Sequence, residues 1–177
     1  MRYITEYNPD WSERFDSIVT MLRPHLPAGC RFHHVGSTSV AGMPSKDIID
    51  IDVECPGGSM SDVIKALAAT GYMHEGDGGI STREAFAPLP HSAAAELPGH
   101  HLYACESDSP ELRKHLAFRE YLKGNGERAQ WLAQRKREAA SAAAAREEYI
   151  MNKSAAYEII AQEALEWACS RRPNRCR

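Results

Sequence analysis

From Glu127 to Ser170 the chain contains neither glycine nor proline, and Ala139–Ala145 is alanine broken once by Ser141. Alanine has the best helix propensity, and the two residues that most often end helices are missing. This run therefore predicts one long helix, or two with a bend near Tyr149–Asn152. A further helix precedes it. Ser109-Pro110-Glu111 is a helix start with proline at the first helical position, and Leu112, His115, Leu116, Arg119 and Leu122 follow at helical spacing. Gly124-Asn125-Gly126 breaks it. The earlier part of the chain reads differently. Residues 9–24 predict a helix with Trp11, Phe15, Ile18, Val19 and Leu22 on its inner face. Arg31–Val35 reads as a strand, Gly36–Ser39 as a turn and Asp47–Glu54 as a second strand. A helix capped by Ser61 carries Val63, Ile64, Leu67 and Ala68 on one stripe, and Gly71 closes it. Strands follow at Tyr72–His74, around Glu84–Phe86 and at His100–Cys105. Strand–helix–strand alternation followed by helices alone predicts an α+β fold, with a mixed core over 1–108 and a helical part over 109–177.

Charge and composition narrow the partners. Lys plus Arg is 21 against 24 for Asp plus Glu, a net charge of -3, which is not the footprint of a duplex-DNA binder. The five cysteines, Cys30, Cys55, Cys105, Cys169 and Cys176, form no C-x-x-C pair and read as free thiols. His33-His34 and His100-His101 are adjacent, so neither pair offers two ligands on one strand face. No stretch approaches the ~20 apolar residues of a membrane helix, and the N-terminus has no apolar signal core. The expectation is a cytoplasmic protein with no membrane partner.

The chemistry is concentrated in two neighbouring segments. A glycine turn after a strand lets backbone approach a ligand closely, and Ser37, Thr38 and Ser39 add hydroxyl and N–H donors suited to an anion. Asp50 and Asp52, two apart on a strand, point to one face while Ile49, Ile51 and Val53 point to the other. Carboxylates that close repel each other unless a cation sits between them, and hard oxygen ligands favour Mg²⁺ or Mn²⁺. A phosphate cradle near a carboxylate-held metal is the equipment of nucleotidyl or phosphoryl transfer.

The ordered set His34-Val35-Gly36-Ser37-Thr38-Ser39-Val40-x-Gly42, Lys46 and Asp47-Ile48-Ile49-Asp50-Ile51 resembles the GrpB family of the nucleotidyltransferase (polymerase-β-like) superfamily. Tyr7-Asn8-Pro9-Asp10-Trp11, His101-Leu102-Tyr103, His115–Leu122 and Tyr149-x-x-x-Lys153 extend the likeness over nearly the whole chain. The resemblance implies a mixed β-sheet flanked by helices and followed by C-terminal helices. It implies Gly36 and Ser37 on a nucleotide phosphate, with Asp50 and Asp52 as the catalytic carboxylates and metal ligands. It also implies a third carboxylate from a later strand. The strand His100–Cys105 has no acid inside it: His101 stands where one is expected, Glu106 lies just beyond, and Glu84 is a further candidate.

Three cations complete the candidate nucleotide site. Lys46 enters the acidic strand, Arg119 could fork onto phosphates, and Lys153 shares a helix face with Tyr149 and Tyr157. The expected activity is metal-dependent transfer of a nucleoside monophosphate from an NTP to an unknown small acceptor. The alternative is a non-catalytic nucleotide-binding module lacking the third carboxylate.

Overall fold

The computed structural model describes residues 3–171. Its helices are α1 (Trp11–Leu22), α2 (Met60–Ala69), α3 (Pro110–Gly124), α4 (Gly126–Ala142) and α5 (Arg146–Arg171). Its strands are β1 (Arg31–Val35), β2 (Ile49–Cys55), β3 (Tyr72–Gly76), β4 (Arg83–Pro88) and β5 (His100–Glu106). The sheet order is β1-β2-β5-β4-β3. Only β2 and β5 run parallel; the other neighbours are antiparallel. This is the mixed sheet and α+β class expected from the sequence.

The chain divides into two compact units, each assembled from separate stretches. One comprises 10–35 and 48–113 and holds the whole sheet with α1 and α2. Its core forms where the apolar face of β2 (Ile49, Ile51, Val53 and Cys55) meets Trp11, Ile18 and Leu22 of α1 and Val63 and Leu67 of α2. Alternation in β2 makes this possible: every second side chain turns inward, and the acids between them turn to the other face. The helix α2 begins at Met60, with Ser59 rather than Ser61 at the N-cap position. The Ser59 hydroxyl donates to the Pro56 carbonyl at 2.7 Å, which ties it into the preceding turn.

The other unit comprises, among the described residues, 3–9, 36–47 and 114–171. Phe118, Tyr121 and Leu122 of α3 pack with Leu132 and Ala133 of α4 and Ala156, Ile160 and Ala164 of α5, and Val40 and Met43 join them. The break in the alanine-rich run falls at Ala143–Ala145, not at Tyr149–Asn152, which is helical. Ala143 is extended at φ -77° and ψ 126°. Long-range partners override alanine's propensity here. The Tyr3 hydroxyl donates to the Ala144 carbonyl at 3.1 Å, and the Glu148 carboxylate accepts from the Ala144 N–H at 2.7 Å. Cys30, Cys55 and Cys105 are free thiols, whereas Cys169 is disulfide-bonded, against the expectation for it. Among the described residues no helix is long and apolar enough to cross a membrane.

Candidate functional site

The strand β2 presents a row of three acids, Asp50, Asp52 and Glu54, on the face opposite its apolar residues. The register fixes their neighbours. Asp50 lies between Val35 of β1 and His101 of β5, Asp52 between His33 and Tyr103, and Glu54 between Arg31 and Cys105. Their surroundings grade along the strand. The Asp50 side chain is 34% exposed and accepts from His101 Nδ1–H at 2.9 Å. Asp52 is wholly buried. Glu54 is buried among donors that include Arg31 Nε at 2.9 Å, the second Arg31 nitrogen, and His33 Nε2–H at 2.8 Å.

The Arg31 guanidinium, helped by His33, holds the Glu54 carboxyl at about 2, well below its ordinary 4.5. A carboxylate with a lowered folded pKa stabilises the protein fully above its unfolded value. That contribution is lost as pH falls from 4.5 towards 2. Glu54→Gln is therefore expected to lower stability by about 1–3 kcal/mol at neutral pH, with solvent around Arg31 reducing the effect towards the lower figure. Melting temperatures measured against pH should show the gap between wild type and variant closing below pH 4.5. A gap that persists unchanged to pH 2 would reject the assignment.

The β1 strand ends at Val35, opposite Asp50, and the chain leaves it through Gly36. Gly36 has φ 69° and ψ -167°, a combination that is essentially glycine-only. Ser37–Ser39 form a short 3₁₀ turn in which the Ser39 hydroxyl donates to the Gly36 carbonyl at 2.7 Å. Ser37 and Thr38 are buried. The Ser37 Oγ accepts from Lys136 Nζ at 2.7 Å, and Lys136 is only 3% exposed. The glycine-shaped turn is thus joined through Ser37 to a buried ammonium.

The remaining expected cations are also in the helical unit. Lys46 is half-buried and follows Ser45, whose backbone pairs with Thr5. Arg119 is half-buried on α3, and its Nε donates to Glu120 at 2.7 Å. Lys153 lies 5.4 Å from the Tyr149 ring and 5.8 Å from the Tyr157 ring. Tyr149 stacks on Tyr3, and Tyr157 stacks on Phe118 at 4.5 Å. Gly36, Ser37, Thr38, Ser39, Lys46, Arg119 and Lys153 thus all belong to one unit, while Asp50 and Asp52 belong to the sheet unit.

A family profile described as GrpB protein matches residues 3–163. The chain belongs to the GrpB family. The solved structure of the conserved protein GrpB from Enterococcus faecalis is 30% identical with a TM-score of 0.78, covering 93% of this chain and 98% of that one. The UPF0157 protein YqkA of Bacillus subtilis strain 168 is 32% identical over 121 residues, 67% of this chain and 34% of YqkA. The present chain thus spans about a third of that relative's length. The Cid1 poly(U) polymerase with MgGTP bound is 11% identical at a TM-score of 0.51, covering 76% of this chain and 45% of that one. That likeness speaks for a nucleotidyltransferase-like fold.

This GrpB chain places neither expected third carboxylate beside the aspartates. Residues paired across a sheet share a face. Glu106 pairs with Cys55 and Glu84 with Ala104, both on the apolar face of the sheet, and Glu84 accepts from His74 Nε2–H at 2.6 Å. On the acid face β5 offers His101 and Tyr103 instead. Among the described residues no group of three or more His, Cys, Asp or Glu is placed to hold a metal ion. Sequence reasoning overlooked two residues. Lys136 lies in Gln134-Arg135-Lys136-Arg137, which looks like a solvated charge run, yet it shares a stripe with buried Leu132, Ala133 and Ala139. That stripe was the available signal. Glu54 was visible as the third acid of a period-two row.

Proposed function

We propose that this chain is a metal-dependent nucleotidyltransferase, moving a nucleoside monophosphate from an NTP to a small acceptor. The reading is carried by the buried Asp52 beside Asp50 on one face of β2. Two carboxylates fit an ion that arrives with its nucleotide, because Mg²⁺ is usually bound by one or two carboxylates with water and substrate phosphates filling the rest. When bound, Mg²⁺ or Mn²⁺ would neutralise charge on the reacting phosphates. Asp50 and Asp52 would hold it, with the His101 N–H fixing the orientation of the Asp50 carboxylate. The N–H groups and hydroxyls of Gly36–Ser39 and the Lys136 ammonium would take phosphate oxygens. Lys46 and Arg119 would add positive charge, and Lys153 between its tyrosines would face the nucleotide.

A second reading is a nucleotide-binding module without turnover. It is favoured by His101 at the β5 position where the resemblance implies an acid, with Tyr103 next on the same face. The deciding experiment incubates the protein with Mg²⁺, each labelled NTP in turn and a pool of small hydroxyl and amine acceptors. The expected result is release of pyrophosphate with a labelled nucleotidyl product. Tight Mg-NTP binding with no pyrophosphate would reject transfer and leave the module.

A further inference from the structure

The start of β1 and the end of β2 carry two thiols that the proposed chemistry does not use. The antiparallel register runs Phe32 with Val53 and Arg31 with Glu54, so one further step sets Cys30 opposite Cys55. The pairing continues past the strand ends: a Cβ built on Gly29 would lie 3.0 Å from Pro56 Cγ, the next step out. Both cysteines are free, and their thiols are in hydrogen-bond contact. Facing residues on antiparallel strands have Cα atoms about 4.5–5.5 Å apart, within the range a disulfide spans. Cys55 is wholly buried in the core of the sheet unit, whereas Cys30 at its margin is half-buried. The third free thiol, Cys105, pairs with Glu54 and so lies on the acid face, away from the face that Cys55 shares with Ile51 and Val53.

From this placement we infer that Cys30 and Cys55 form a reversible redox pair whose oxidant is a small-molecule disulfide. The Cys30 thiolate attacks one sulfur of that disulfide, forming a mixed disulfide and expelling one thiolate. The Cys55 thiol loses its proton to solvent and attacks Cys30 Sγ. The bond to the small molecule breaks, and the second thiolate leaves. Two protein thiols are oxidised, and one small disulfide is reduced to two thiols. Exposure assigns the order, since only Cys30 is within reach of a reagent. Burial pushes the Cys55 thiol up to about 12 and raises Cys30 as well, so exchange is slow at neutral pH and quickens in base. The bridge closes a ring from 30 to 55, which contains the Gly36 turn and both aspartates.

The test uses the full chain, incubated with oxidised glutathione at about pH 8.5, close to an ordinary thiol pKa. The sample is then quenched in acid and digested without reduction. The expected result is a linked Cys30–Cys55 peptide as the main product, two hydrogens lighter than its reduced parts. It should come with a Tm rise of about 5–10 °C that a reducing agent reverses. Cys30→Ala should lose both the crosslink and the rise. Cys55→Ala should trap a glutathione adduct on Cys30. A wild-type product carrying glutathione on Cys30 with Cys55 still reduced would overturn the inference, as would a bridge from either residue to Cys105 or Cys169.

Discussion

Asp52→Asn is expected to lower affinity for Mg-NTP by at least about 100-fold, because it removes one of the two carboxylates proposed to hold the ion. The amide keeps the shape of the carboxylate, so the packing of a fully buried position is disturbed as little as a substitution allows. Asp50→Asn should act in the same direction with a smaller loss. The Asp50 side chain is 34% exposed, and water can take over part of the coordination there. Calorimetric titration of Mg-ATP into wild type and both variants measures this directly, with thermal melts confirming that each variant is folded. Nucleotide without a divalent ion should bind wild type weakly and the variants no differently. If both variants bind Mg-ATP as wild type does, the metal assignment is wrong.

Lys136→Met separates a binding role from a structural one. The side chains are similar in length and volume, so the stripe formed with Leu132, Ala133 and Ala139 stays filled. Removing one member of a buried polar contact leaves Ser37 Oγ without its donor, so the melting temperature should fall modestly while the fold persists. Loss of the charge opposite a phosphate should weaken nucleotide binding by about 10–100-fold, as expected for one charge-assisted hydrogen bond. A variant that melts lower but binds nucleotide normally would mean that Lys136 serves only to fix Ser37. The two predictions differ in their ionic dependence: the Asp52 effect should vanish when the divalent ion is removed, and the Lys136 effect should remain.

What could be read in the sequence is what depends on neighbours along the chain. The alternation of Ile49, Ile51 and Val53 with Asp50 and Asp52 dictated both the strand and its two faces, and the fold bears this out. The β1 bounds were legible from five residues, because the following glycine turn stops the strand sharply. What escaped depends on partners far away. Lys136 meets Ser37 across 99 positions, and within a basic run only the stripe it shares with Leu132, Ala133 and Ala139 marks it as the member that points inward. The break at Ala143 needs Tyr3, 141 positions from its acceptor Ala144. Glu54 was the last residue of the predicted strand, and only the register with Arg31 and His33 makes it a buried acid. The absent third carboxylate is likewise a matter of facing. Glu84 and Glu106 are near enough in sequence to qualify, but pairing with Ala104 and Cys55 turns both away.

The interleaving of the two units has a consequence for how the molecule is made. Residues 3–9 and 36–47 leave the ribosome well before the segment from 114 onward that completes their unit. The sheet unit closes only when β5 has been added between β2 and β4, at 100–106. The Gly36 turn must therefore wait while about a hundred further residues are made before Lys136 exists to meet it. During that interval Val40 and Met43 have no α3 or α5 to cover them. At roughly 5–20 residues per second the delay lasts seconds, long enough for a chaperone to engage the nascent chain. A pause or truncation between 47 and 114 would leave both halves without a finished core.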